Sequence, residues 1–184
     1  MHSNILLIAI MVMPLFLLAG GNTDSAVGSE QKVKSKALDI RLLNEIGDGL
    51  RLKKDIDYSK INKLIRMGAD INSVGNHFDR STGIHPLYLS VSNGDLKLTK
   101  FLLIKGANVN IHFDDEPGDT VSGETPLMCA IKNGYNKIAV LLIENGADVN
   151  LGASNNTNPL SYARYYSNEE MEIILIKNGA IKKK

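Results

Sequence analysis

The residues of this 184-residue chain whose types and spacing could do chemistry gather in two short stretches. His77-Phe78-Asp79-Arg80 and His112-Phe113-Asp114 share one tripeptide, and the second runs on through Asp115 and Glu116 to Asp119, four acids in six residues beside an aromatic ring. Two histidines and two aspartates on neighbouring loops have donor atoms for zinc, but nothing orients the rings, so no metal site is expected. The run Asp114-Asp115-Glu116 lacks the spaced ligands and fixed turn of a calcium loop. Two readings of these stretches stand. In one, Phe78 and Phe113 anchor a partner protein while the acids steer a basic patch on it into place. In the other, the two rings pack the loops against each other and the acids are simply solvated.

The rest of the chain has little that could catalyse a reaction. A single cysteine, Cys129, cannot form an internal disulfide or a multi-cysteine metal site, and its apolar neighbours predict a buried, inert thiol. No nucleophile elbow, phosphate-cradling glycine loop or metal-binding helix motif occurs, so no enzyme, cofactor or small-molecule substrate is expected. With 21 basic and 20 acidic side chains the formal charge is +1, too small a field to gather a phosphate backbone; no nucleic-acid partner is expected. The 43% hydrophobic content is enough for a packed core.

The beginning of the chain departs from that balance. Ile5 to Leu18 is apolar at almost every position, about 14 residues against the roughly 20 that span a bilayer, and Ala19, Gly20 and Gly21 follow it. This layout predicts a signal peptide over 1–21 and a secreted or periplasmic protein, although the segment before the apolar run has no Lys or Arg. Leu18-Ala19-Gly20-Gly21 resembles the cleavage box of bacterial lipoproteins, with glycine where the lipid-bearing cysteine would stand. Membrane attachment is expected only if the segment is uncleaved or lipidated. Residues 22–36, rich in Ser, Gly, Lys and Gln, predict a flexible spacer.

From residue 37 onward the elements that must position the two acidic loops are written in an internal repeat. Leu64-Ile65-Arg66-Met67-Gly68-Ala69-Asp70-Ile71-Asn72 returns as Leu102 to Asn110 and as Leu142 to Asn150, and in truncated form as Leu175 to Ala180. Pro-Leu pairs at Pro86, Pro126 and Pro159 precede the later copies. Thr125 caps a helix opened by Pro126, and Gly134 ends it. Asn136 to Glu144 forms a second helix burying Ile138, Leu141, Leu142 and Ile143, which Gly146 stops. Two such short helices cannot cover their own apolar faces and must stack on neighbouring pairs.

The order and spacing resemble the ankyrin repeat. The resemblance implies an all-α solenoid of four stacked helix-turn-helix units over residues 37–184, divided near 37–72, 73–110, 111–150 and 151–184, with a protein as its partner. The motif histidine is absent, its place held by Tyr88, Met128 and Ser161, which predicts a less stable array; His85 and Asn158 replace the capping threonine. From the repeat glycine to the next proline is 13 residues between 146 and 159 but 18 and 20 in the two earlier intervals, so the first two finger loops are extended. They carry His77 to Arg80 and His112 to Asp119. The resemblance assigns binding to the finger tips and the exposed side of the first helices, here Ser92, Asn93, Lys132, Asn133, Tyr165 and Tyr166. An exported bacterial member is similar to immunity proteins that block toxic effectors, to envelope accessory proteins that support an enzyme, and to scaffolds.

Overall fold

A computed structural model describes residues 23–73, 85–112, 123–153 and 157–181. The segment read as a signal peptide, most of both extended fingers and Lys182 to Lys184 lie outside the described residues. The chain divides into two compact units, Met1–Lys34 and Ser35–Lys184. Among the described residues there are eight helices and no strand.

Helix α1 (Thr23–Arg51) corrects the expectation of a flexible spacer over 22–36. Ala26, Glu30, Gln31, Lys32, Lys34, Lys36 and Ala37 all favour helix, and no proline interrupts them. Residues 31–37 are exposed. Low apolar content meant little burial there, which is compatible with a helix propagated outward from an anchored segment. The anchor is the second half of α1, which buries Leu42, Leu43 and Ile46.

The remaining helices come as hairpin partners. Helix α2 (Tyr58–Arg66) follows α1; then α3 (Pro86–Ser92) pairs with α4 (Leu96–Ile104), α5 (Pro126–Lys132) with α6 (Asn136–Glu144), and α7 (Pro159–Tyr165) with α8 (Glu169–Lys177). Three of the first helices open on proline, where the missing N–H would have no intrahelical acceptor anyway. Thr125 accepts from the Met128 amide, and Asn158 forms a capping box with Ser161. His85 makes no capping bond; it is buried, with Nδ1 3.2 Å from the Asn72 carbonyl oxygen. Glycine is favoured at position 94 for two reasons. Its φ is +70°, and a Cβ there would lie 2.8 Å from the Tyr135 ring of the next hairpin.

Packing joins α3 to α5, α5 to α7 and α4 to α6. One core runs through the stack, with Ile61, Leu64, Leu98, Leu102, Ile138, Leu142, Met171 and Leu175 buried from the second helices and Leu87, Val91, Leu127, Ile131 and Leu160 from the first. Both outermost hairpins put ion pairs where inner hairpins put apolar groups. Eight residues before the repeat glycine stand Leu98, Ile138 and Met171, all buried, but in the first unit Lys60, which pairs with Glu45. Five residues after the helix-opening proline stand Val91 and Ile131, but in the last hairpin Arg164, 2.7 Å from Glu172. A repeat with a neighbour on one side only needs such a polar outer face.

A ladder of side-chain bonds fixes the register between hairpins. The last residue of each repeat motif accepts from the backbone of the next unit: Asn72 Oδ1 from the Asn108 amide at 2.7 Å, Asn110 Oδ1 from Asp148 at 2.8 Å, and Asn150 Oδ1 from Ile181 at 2.7 Å. Asn110 and Asn150 also donate to the carbonyls of Gly146 and Gly179. On α1, Asp39 supplies the same contact to the Asp70 amide at 2.7 Å, so this helix takes the place of a preceding repeat. A buried leucine or isoleucine contributes roughly 2 kcal/mol by leaving water, against about 1 kcal/mol for one such bond. Apolar contact therefore holds the stack, and the asparagines select its alignment. Replacing Asn110 by Ala removes two of these bonds and is expected to cost about 1–3 kcal/mol in chemical denaturation with an unchanged slope. A cost below ~0.5 kcal/mol would remove the ladder from the account.

Candidate protein-binding surface

The first helices α3, α5 and α7 lie side by side, and their C-terminal ends carry equivalent positions from one hairpin to the next: Ser92, Lys132 and Tyr165, then Asn93, Asn133 and Tyr166. The structure brings these six sequence-predicted residues into one row, but it does not make them equivalent. Ser92 is half-buried and its hydroxyl donates to the Leu89 carbonyl. Asn93 and Asn133 donate through Nδ2 to the carbonyls of Leu89 and Cys129, closing their own helices. Tyr165 and Tyr166 are different, at 79% and 42% exposed. Their rings meet edge to face at 5.0 Å, and Tyr166 meets Tyr162 the same way at 5.8 Å.

Beside the tyrosines lies a polar cluster that the repeat pattern did not announce. Glu124, directly before the capping Thr125, is only 4% exposed. Its carboxylate accepts from the Tyr88 hydroxyl at 2.6 Å and from Lys132 Nζ at 3.5 Å, and its charge also acts on the nearby Tyr162 phenol. The Tyr88 bond thus ties two successive hairpins together, and Tyr162 sets a third beside the same carboxylate. A buried carboxylate is strongly unfavourable unless paired and hydrogen-bonded, and the Tyr88 hydroxyl and the Lys132 ammonium meet that need. Burial and then the nearby negative charges push the phenols of Tyr88 and Tyr162 well above the usual tyrosine range, keeping both as donors. Burial, the largest single effect, acts to lower the Lys132 ammonium, but the Glu124 charge, Tyr166 and the hydrogen bond to Glu124 together outweigh it and the net shift is upward.

Cys129 sits in the same cluster. It is buried, and burial followed by the Glu124 charge raises its thiol to about 11. This agrees with the inert thiol expected from the sequence.

The signal that could have exposed this cluster is positional. Tyr88 occupies the place of the motif histidine, Glu124 precedes a helix cap, and Tyr162 stands where Cys129 stands one unit earlier. Each is a departure from the repeat, and the departures fall on adjoining hairpins.

Of the finger residues, His112 is described. It is exposed, with Nδ1 3.0 Å from the Gly123 carbonyl oxygen, a contact that ties together the two stems of the second finger. His77, Phe78, Asp79, Arg80, Phe113, Asp114, Asp115, Glu116 and Asp119 lie outside the described residues. Among the described residues no group of three or more His, Cys, Asp or Glu side chains could hold a metal ion, and no helix is long and apolar enough to cross a membrane.

A family model described as ankyrin repeats (3 copies) matches residues 53–153 and, in a second alignment, 87–184. A search of curated proteins returns no significant match.

The raised thiol has a measurable consequence. Between pH 9 and 11 the unfolded chain releases the Cys129 proton while the folded chain keeps it, so the native state loses stability as pH rises through that window, by at most about 3 kcal/mol. Denaturation at pH 9 and pH 11 should show a smaller loss for Cys129→Ala than for the native sequence. At pH 8 an alkylating reagent should label the folded protein far more slowly than the unfolded chain. Equal pH slopes or fast native labelling would contradict the burial of this thiol.

Proposed function

As this chain belongs to the ankyrin-repeat family, we propose that its protein partner docks on the row formed by the ends of α3, α5 and α7. The exposed Tyr165 and Tyr166 pair carries this reading. Tyrosine offers a large contact area at low entropic cost and keeps a hydroxyl for hydrogen bonding, which is why it concentrates binding energy at interfaces. Here the two rings brace each other, and Lys132 beside them is held by Glu124, so the surface is organised before a partner arrives. Glu124, Tyr88 and Tyr162 act as positioning residues beneath it.

The extended fingers supply a second contact. The composition of Phe113 with Asp114, Asp115, Glu116 and Asp119, and of His77 to Arg80 on the preceding finger, supports recognition of a basic patch, with the acids accelerating encounter. The apolar run from Ile5 to Leu18 with Ala19, Gly20 and Gly21 after it supports action in the cell envelope or periplasm. For such a binder the role of an immunity protein, covering the basic rim of a toxic effector's active site, suits an acidic finger beside a tyrosine row.

Capture from an envelope extract, followed by affinity measurement on the captured protein, tests the site. Replacing Tyr165 and Tyr166 together by Ala should weaken binding by about 10- to 100-fold with helical content unchanged. Unchanged affinity would move the contact elsewhere. The immunity role further requires the captured protein to lose its own activity when titrated with this chain, and full activity in the complex would reject it.

A further inference from the structure

The second helices form another row, on elements that the tyrosine surface does not use. Tyr58 of α2 meets Phe101 of α4 edge to face at 4.9 Å, α4 packs on α6, and Asn136 of α6 bonds to Glu170 and Asn168 at the start of α8. Charge is distributed unevenly along this row. Helices α2 and α4 contain Lys60, Lys63, Arg66, Lys97 and Lys100 and no acidic residue. Helix α6 has Lys137 at one end and Glu144 at the other, whereas α8 opens on Glu169, Glu170 and Glu172 against one cation, Lys177. Lys60 is paired with Glu45, but Lys63, Arg66, Lys97 and Lys100 are exposed, and none of the ion pairs among the described residues includes them.

Apolar groups are interspersed with these charges. Leu96 and Ile104 on α4, Met67 directly after α2, and Ile173 and Ile176 on α8 are all exposed, Ile104 and Ile173 to 70% and 68%. An open groove of about 630 Å³, lined in part by Leu96, Tyr135, Lys137, Val140 and Glu170, crosses the row. A surface basic at one end and acidic at the other, with exposed apolar groups among the charges at both ends, is complementary to itself when turned around.

We propose that a second copy of this chain pairs with the first along this row in antiparallel register. A two-fold axis between α4 and α6 sets α2 of each copy against α8 of the other, so basic meets acidic twice, whereas parallel pairing would set like charges together. Four nine-residue helices, at ~1.5 Å per residue and ~10 Å apart, offer a face of about 13 by 40 Å, the size of a transient contact. The dimer is therefore weak and salt-sensitive, and it leaves the tyrosine row open for the protein partner.

Sedimentation equilibrium of the full chain tests this. A monomer–dimer equilibrium is expected at low salt, its Kd rising about tenfold or more between ~0.02 and ~0.5 M salt as charges are screened. Lys63→Glu with Arg66→Glu should by itself weaken the dimer at least tenfold, as should Glu169→Lys with Glu170→Lys, which turns the net charge of α8 positive, each with an unchanged circular dichroism spectrum. Mixing the two variants should restore a closed dimer, because both contacts again join opposite charges. A native chain that stays monomeric at ~100 µM and low salt would overturn the proposal. So would a mixture no tighter than its components, or growth beyond dimers.

Discussion

Helices of seven and nine residues are too short to persist in water alone, and each hairpin here has an apolar side that only the next hairpin can cover. Everything else follows from that dependence. Because the hairpins must share a core, they line up, and lining up creates two rows of outward positions, one from the first helices and one from the second. The rows have different chemistry because different positions of the repeat face outward on each. The first ends in exposed tyrosines beside a lysine, and the second carries cations at one end and carboxylates at the other.

Apolar contact alone would leave the alignment of neighbouring hairpins loosely determined, since burial is indifferent to small sliding. The asparagine ladder supplies direction. One side chain per unit reaches the backbone of the next, and at the first position Asp39 of α1 does the same work from a helix that is not a repeat. The Glu124 cluster adds a second tie, a bond from Tyr88 to one buried carboxylate that also holds Lys132 and lies near Tyr162 of the following hairpin. Where the repeats lack the motif histidine, this cluster and the Asn158 capping box give local substitutes at Tyr88 and Ser161.

Much of this fold is legible in the residues because its signals are local and repeated. The spacing of Gly68, Gly106, Gly146 and Gly179, the helix-opening prolines, the capping Thr125 and the limits of Asn136–Glu144 can all be read from a few neighbours. The first half of α1 is not legible in that way. Its composition resembles a linker, and its helix depends on propagation from Leu42 and Ile46 farther along. Glu124 is not legible either, for a related reason. In sequence it is an acid next to a cap, and only the stack brings Tyr88 and Tyr162, 36 residues before it and 38 after, to its carboxylate. Lys132, Tyr165 and Tyr166 were identified by position in the repeat, but what separates them from Ser92 and Asn133 is which side chains are already bonded to their own helix.

The dependence of each hairpin on its neighbour is tested most directly by hydrogen exchange at the amides of Asn108, Asp148 and Ile181. These lie in exposed turns, where amides ordinarily exchange fast, yet each donates to an asparagine of the preceding unit. If the units are coupled as described, the three should exchange only when the stack opens, as slowly as the buried helical amides of Leu102 and Leu142. Exchange at the rate of an unfolded peptide at these three positions, with the helices still protected, would show hairpins that stand beside one another without being joined.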